Sequence, residues 1–233
     1  MLFSPNKVID TMTIKTMPNG YLIEYKKGIS IENTRYLSQL AEYLKNQFPE
    51  IRSTVVGYES LGVYLAQEDC IGFSSRLEPC LEVWIGNNVD IREDWNTHRI
   101  PVCYDYSICP DLENFCFQKN ITLDRCIELH ANASYFVAMI GFLPGFLYLG
   151  GLNSELAMPR KSFADPLIKK GSVAIGGIQT GIYPAESPGG WNVIGMTPVA
   201  IFDVKKIPPS PFGTGDMVVI EPITIREYTK WRS

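Results

Sequence analysis

Between Gly141 and Pro198 the chain reads GFLPGFLYLGG, then MPR, then GSVAIGG, then QTGIYPAESPGGWNVIGMTP, and this density of glycine and proline between short apolar runs constrains the fold most. Proline fixes φ and removes an amide donor, and glycine allows positive φ and close backbone approach. No helix passes through such a stretch, so shaped loops on a β scaffold are expected. Strand candidates recur at short intervals: Tyr135 to Ile140, Ser172 to Ile175, Asn192 to Ile194, Val199 to Phe202 and Met217 to Ile220. Regular strands with glycine and proline turns argue for a barrel or sandwich, and closure would remove the exposed edges of these apolar strands.

Upstream the character differs. Tyr21 to Tyr25 reads as a strand, and Ser30 can cap a helix running to about Asn46, with Leu37, Leu40, Ala41 and Leu44 on one face and a stop before Pro49. Thr54 to Tyr58 and Leu81 to Ile85 look like further strands. The expectation is an α+β N-terminal domain over residues 1–90, a linker within Gly86 to Thr97, and a mainly β domain over 91–233. The second domain begins with the strand Ile100 to Tyr104 and two short helices. Asp111 can cap the first, with Leu112, Phe115 and Cys116 on one face; Thr122 can cap the second, with Leu123, Cys126, Ile127 and His130 aligned.

Composition narrows the function. At 233 residues and 45% hydrophobic content the chain can bury one large core or two smaller ones. A net charge of -4 without a Lys/Arg cluster argues against nucleic acid, since phosphate contacts need a basic face. No apolar run approaches the length of a membrane helix, and MLFSPNKVID has no signal-peptide pattern, so a cytoplasmic, non-membrane protein is expected. The six cysteines (Cys70, Cys80, Cys103, Cys109, Cys116, Cys126) show no CxxC spacing and read as buried thiols. Two histidines make a His-rich metal site improbable. There is no GxxxxGK[ST] phosphate loop, no GxSxG and no Ser/His/Asp order.

The order His130, GFLPGFLYLGGL (Gly141 to Leu152), Pro159-Arg160, Gly171-Ser172-Val173, QTGIYP (Gln179 to Pro184), SPGGW (Ser187 to Trp191), Gly195 followed by Thr197-Pro198, and Gly215-Asp216 resembles the B-subunit family of 5-oxoprolinase. That family is also known as the KipI or allophanate hydrolase subunit 1 family. The match is dense from about Pro101 to Pro222. It implies a cyclophilin-like β-barrel after the α+β domain, and work within a multisubunit 5-oxoprolinase, beside the A and C subunits, that opens 5-oxo-L-proline to L-glutamate at the expense of ATP. It implies neither metal nor biotin on this chain, and ATP held by or shared with a partner. The alternatives it carries are KipI-like inhibition of a sensor histidine kinase and a role related to allophanate hydrolase or urea carboxylase.

For such chemistry a carboxylate-bearing ring must be positioned and developing charge stabilised. His130, Arg160, Gln179 and Tyr183 are the catalytic candidates, with Arg160 as carboxylate clamp because guanidinium binds bidentately. Phe142, Pro144, Gly145, Phe146, Thr180, Ser187, Gly189, Gly190 and Trp191 are the substrate-binding candidates, with backbone N–H groups at Gly189-Gly190 able to form an anion nest. Structural alternatives stand beside each. Arg160 can pair with a surface carboxylate, Gln179 and Thr180 can satisfy loop backbone, and His130 can be a satisfied core histidine. The aromatics, Tyr148 among them, can be core or subunit interface. The chain departs from the family pattern at Ala164-Asp165, where a second Pro-Arg pair is usual, at Met196, where arginine is usual, and at Asp105 and Tyr106, where glycines are usual. These changes remove positive charge from loops expected to face an anionic substrate.

Overall fold

The computed structural model describes residues 7–9, 11–66, 72–87 and 89–232. The chain divides into two compact units, Met1–Asp94 and Trp95–Ser233.

In the first unit, strands β1 (Lys7–Ile9), β2 (Met12–Met17), β3 (Gly20–Tyr25), β4 (Ile51–Val56) and β5 (Ser60–Leu65) form an antiparallel sheet in the order β1-β2-β3-β5-β4. Helix α1 (Ile31–Gln47) begins where expected, with the Ser30 hydroxyl accepting the Asn33 N–H at 3.2 Å, and it buries Leu37, Leu40, Ala41 and Leu44. Glu32 in its first turn and Lys45 in its last complement the helix dipole. Residues 81–85, expected as a strand, belong instead to α2 (Phe73–Gly86). Short apolar runs do not separate the two periods by themselves. The deciding pattern is the buried stripe Phe73, Leu77, Leu81 and Trp84, which Pro79 interrupts in sequence but not in space. Strand β4 starts earlier than the expected Thr54, β1 and β2 add to the one strand expected before α1, and β5 follows β4.

The second unit is built on β6 (Thr97–Cys103), β7 (Tyr135–Ile140), β8 (Leu147–Gly150), β9 (Asp165–Ile168), β10 (Ser172–Gly176), β11 (Gln179–Ile182), β12 (Ser187–Gly189), β13 (Asn192–Met196) and β14 (Met217–Ile223). Its helices are α3 (Leu112–Lys119), α4 (Leu123–Ala131) and α5 (Ile225–Arg232). Seven strands close into a barrel in the order β10-β11-β8-β7-β14-β6-β13. It is mixed, because β14 and β6 run parallel. Strands β9 and β12 form a separate two-stranded ribbon. The mainly β barrel after an α+β domain is the fold class expected. The barrel interior is filled by buried side chains such as Val137, Leu149, Val173, Ile175, Ile182 and Ile220.

Residues 199–202 are not a strand. Ile201 is buried, and its carbonyl accepts the Ser210 hydroxyl at 3.1 Å instead of joining a ladder. Thr122 caps α4 through the Arg125 N–H, as expected. Asp111 does not cap α3: its carboxylate accepts the Val193 N–H at 2.7 Å and pairs with Lys161. Cys103, Cys109, Cys116 and Cys126 are buried without disulfides, and burial pushes the Cys109 and Cys126 thiols up to about 12; Cys70 lies outside the described residues. No helix among the described residues is long and apolar enough to cross a membrane.

Candidate functional site

The GFLPGFLYLGG segment turns the chain from β7 into β8, the QTGIYP segment supplies β11, and SPGGW leads from β12 into β13. Together they enclose a pocket of about 260 Å³ on the barrel's outer face, lined by Phe142, Phe146, Tyr148, Arg160, Tyr183 and Trp191 with Ala164 and the Pro188-Gly189-Gly190 turn. Phe146 is its centre. Its ring lies 4.6 Å from Tyr148, 4.8 Å from Tyr183 and 5.6 Å from Trp191, and Phe142 meets it edge-on at 5.7 Å. Edge-on packing of this kind is the favoured aromatic arrangement.

Two glycines in the motifs serve space as well as turns. A Cβ on Gly176 would stand 2.5 Å from the Trp191 ring, and one on Gly189 would stand 2.5 Å from the Tyr183 hydroxyl. The aromatic rings therefore lie directly on strand backbone. Phe142 adopts φ +64, in the left-handed region that L side chains avoid, and remains 64% exposed at the pocket edge.

Arg160 is the charged group of the pocket. The Arg160 guanidinium stacks over Trp191 with Cζ 5.6 Å from the ring centre, and among the described residues no carboxylate pairs with it. Burial pushes the Tyr183 phenol up to about 12, so it keeps its hydrogen at neutral pH. Burial likewise raises Tyr148, with Arg160 pulling the other way. Both phenols are donors at neutral pH. The neighbouring Lys161 turns away: its backbone N–H donates to the Gly190 carbonyl at 2.7 Å while its ammonium binds Asp111 and Asp165. This cross-link holds the Arg160 loop against the glycine turn.

The other candidates are elsewhere. Thr180 Oγ donates to the Ala174 carbonyl at 3.1 Å, which uses its one hydrogen. In the 2.9 Å contact with His130 the imidazole Nε2–H is therefore the donor, and Nδ1 accepts the Tyr104 hydroxyl at 2.6 Å. His130 is fully buried, with its pKa pulled down to about 3 by burial. It is a neutral core histidine with both nitrogens engaged, and it does not reach the pocket. Gln179 and Ser187 are buried beside the pocket segments, and the Gln179 Nε2 and Ser187 Oγ have no hydrogen-bond partner among the described residues. Pro144 is exposed at the turn, and the Phe202 side chain occupies the space over Gly145. Asp165 and Met196 line a different pocket, although the Asp165 charge still helps to raise Tyr183 in the aromatic one. Ala164, Pro188 and the Lys161 cross-link are the functional features that motif reading did not name as site residues. Only the tandem glycines beside Pro188 hint at them.

A family model described as carboxyltransferase domain, subdomain C and D, matches residues 13–212. The 5-oxoprolinase B-subunit of Bacillus subtilis (strain 168) is 34% identical over 224 residues, covering 92% of this chain and 93% of that protein. Among solved structures, TTHA0988 superposes with a TM-score of 0.75 at 30% identity over 89% of this chain, and the chain spans 40% of that protein's length. The K. lactis urea amidolyase shares the fold, with a TM-score of 0.70 over 99% of this chain and 16% of its own, at 19% identity.

Proposed function

Because the chain belongs to the 5-oxoprolinase B-subunit family, we propose that it is a component of the ATP-dependent complex that opens 5-oxo-L-proline to L-glutamate, assembled with the A and C subunits. In this reading the aromatic pocket receives the carboxylate-bearing ring. The observation that carries it is an Arg160 guanidinium, without a carboxylate partner among the described residues, stacked on Trp191 at a small aromatic pocket. A flat lactam fits between aromatic faces, and its carboxylate suits a bidentate guanidinium.

Each group then has one task. Arg160 holds the carboxylate, Phe146, Tyr148 and Trp191 pack the ring and exclude water, and the Tyr183 O–H donates toward charge developing on the ring carbonyl. ATP, as co-substrate, supplies activation of that carbonyl. The chain has no GxxxxGK[ST] loop, and its described residues contain no group of three metal-ligating side chains, so we assign the nucleotide to a partner subunit.

The test is reconstitution. The purified chain should turn over no 5-oxoproline alone, whereas adding the A and C subunits should release glutamate with ATP. In the complex, Arg160→Ala should raise KM for 5-oxoproline roughly ten- to a hundredfold, as expected for losing a charge-assisted hydrogen bond. Turnover by the single chain, or a complex indifferent to its presence, would defeat the reading.

A further inference from the structure

The β9–β12 ribbon contributes to two pockets. Ala164 and Gly189 line the aromatic one, whereas Asp165, Leu167 and Ile168 of β9, with Lys169 just past its end, line a second of about 210 Å³. Its remaining walls are chiefly apolar: Ile108 and Val193 stand on the barrel side, with the buried Met196 beneath. The volume is below the ~300–1,000 Å³ of pockets that hold drug-sized molecules, so the occupant is a small metabolite.

Three polar groups in this pocket have capacity left over. Lys161 is shared by two carboxylates, so the Asp111, Lys161 and Asp165 cluster keeps a net negative charge. Asp111 also takes the Val193 N–H, which leaves Asp165 the less satisfied of the two. Lys169 is exposed, and among the described residues no carboxylate pairs with it. Ser172 is only 1% exposed, yet among the described residues its hydroxyl has just the Met196 thioether as acceptor, at 3.4 Å, and thioethers accept weakly. Asp165 and Lys169 thus bring a carboxylate and an ammonium to the same pocket. Tyr106, Asp165 and Met196, far apart in sequence, all meet here.

We propose that this pocket is a second ligand site that binds a free apolar amino acid, its ammonium at Asp165, its carboxylate at Lys169 and the Ser172 hydroxyl, and its side chain against Leu167, Val193 and Met196. The assignment does not rest on the 5-oxoprolinase reading, because it uses a different pocket and a different ligand.

Calorimetric titration of the whole chain with L-leucine, 3-methylbutylamine and 4-methylpentanoate tests it. Leucine should bind saturably, and each analogue, lacking one charge, should bind at least about tenfold more weakly. Asp165→Asn should weaken leucine and the amine but not the acid, and Lys169→Met should weaken leucine and the acid but not the amine. Lys169 is exposed, so its replacement probes the site without risk to the fold. Arg160→Ala should leave leucine binding unchanged. The proposal is overturned by absence of saturable leucine binding at millimolar concentration, by wild-type affinity in Lys169→Met, or by loss of leucine binding in Arg160→Ala.

Discussion

Strand β11 and the residue after it serve two regions with opposite electrostatic habits. On the inner face, Thr180 joins a closed chain of hydrogen bonds from Tyr104 through His130 to the Ala174 carbonyl, and Ile182 packs in the core. On the outer face, Gly181 lies under the Phe146 ring and Tyr183 lines a pocket where Arg160 has no carboxylate partner among the described residues. Both regions are rich in rings and both hold a titratable nitrogen base or cation. They differ in satisfaction: inside, donors and acceptors are used up by one another, which suits a low-dielectric interior, whereas outside the Arg160 guanidinium has no carboxylate partner among the described residues.

The largest expected effect separates the two directly. His130→Ala should lower stability by about 3 kcal/mol or more, because it opens a cavity and orphans the buried Tyr104 and Thr180 hydroxyls. Denaturant unfolding would measure this, and a change under about 1 kcal/mol would break the claim that the network is closed and structural.

Acid should distinguish the regions next. Burial lowers the His130 pKa to about 3, whereas an unfolded histidine titrates near 6.5, so the unfolded chain binds the extra proton between these values. The contribution of neutral His130 is complete above about pH 6.5 and is lost progressively as pH falls toward 3, by up to about 1.4 kcal/mol per pH unit. Melting curves of the wild type and His130→Gln from pH 7 to 4 should therefore converge with acid, and parallel curves would contradict the buried neutral assignment.

Arg160→Ala should show the reverse profile. Stability should stay within about 0.5 kcal/mol of wild type, since the side chain is exposed and without a carboxylate partner among the described residues, while 5-oxoproline binding falls by about 1.5–3 kcal/mol. Equal loss of stability and binding would make Arg160 a packing residue. The smallest effect is expected at Phe142. Phe142→Gly relieves a left-handed residue and should leave stability unchanged or raised by up to about 1 kcal/mol, with weaker ring binding. A clear loss of stability would place Phe142 among the packing residues.

Much of this fold is legible in the chain itself. Leu37, Leu40, Ala41 and Leu44 carry the helical period with Ser30 as its cap, and the glycine and proline spacing marks strands joined by shaped turns. The motifs also name most of the aromatic pocket, because GFLPGF, QTGIYP and SPGGW are contiguous segments whose chemistry is local. Residues 81–85 mislead, since four apolar residues in five fit either period until Phe73 and Leu77 extend the stripe.

Sequence alone determined which residue types were present and where the backbone had to turn. Tertiary structure decided which way each one faced. Thr180 and Tyr183 share one motif, yet the two-residue alternation of a strand and the closure of the barrel send one to the core and the other to the pocket. Asp111, Lys161, Asp165 and Val193 form one cluster only because α3, the ribbon and β13 converge there, and no spacing in the chain encodes that meeting. Burial, finally, is a property of the packed whole: it neutralised His130 and left Arg160 charged and open to a ligand, a distinction that a list of candidate residues cannot contain.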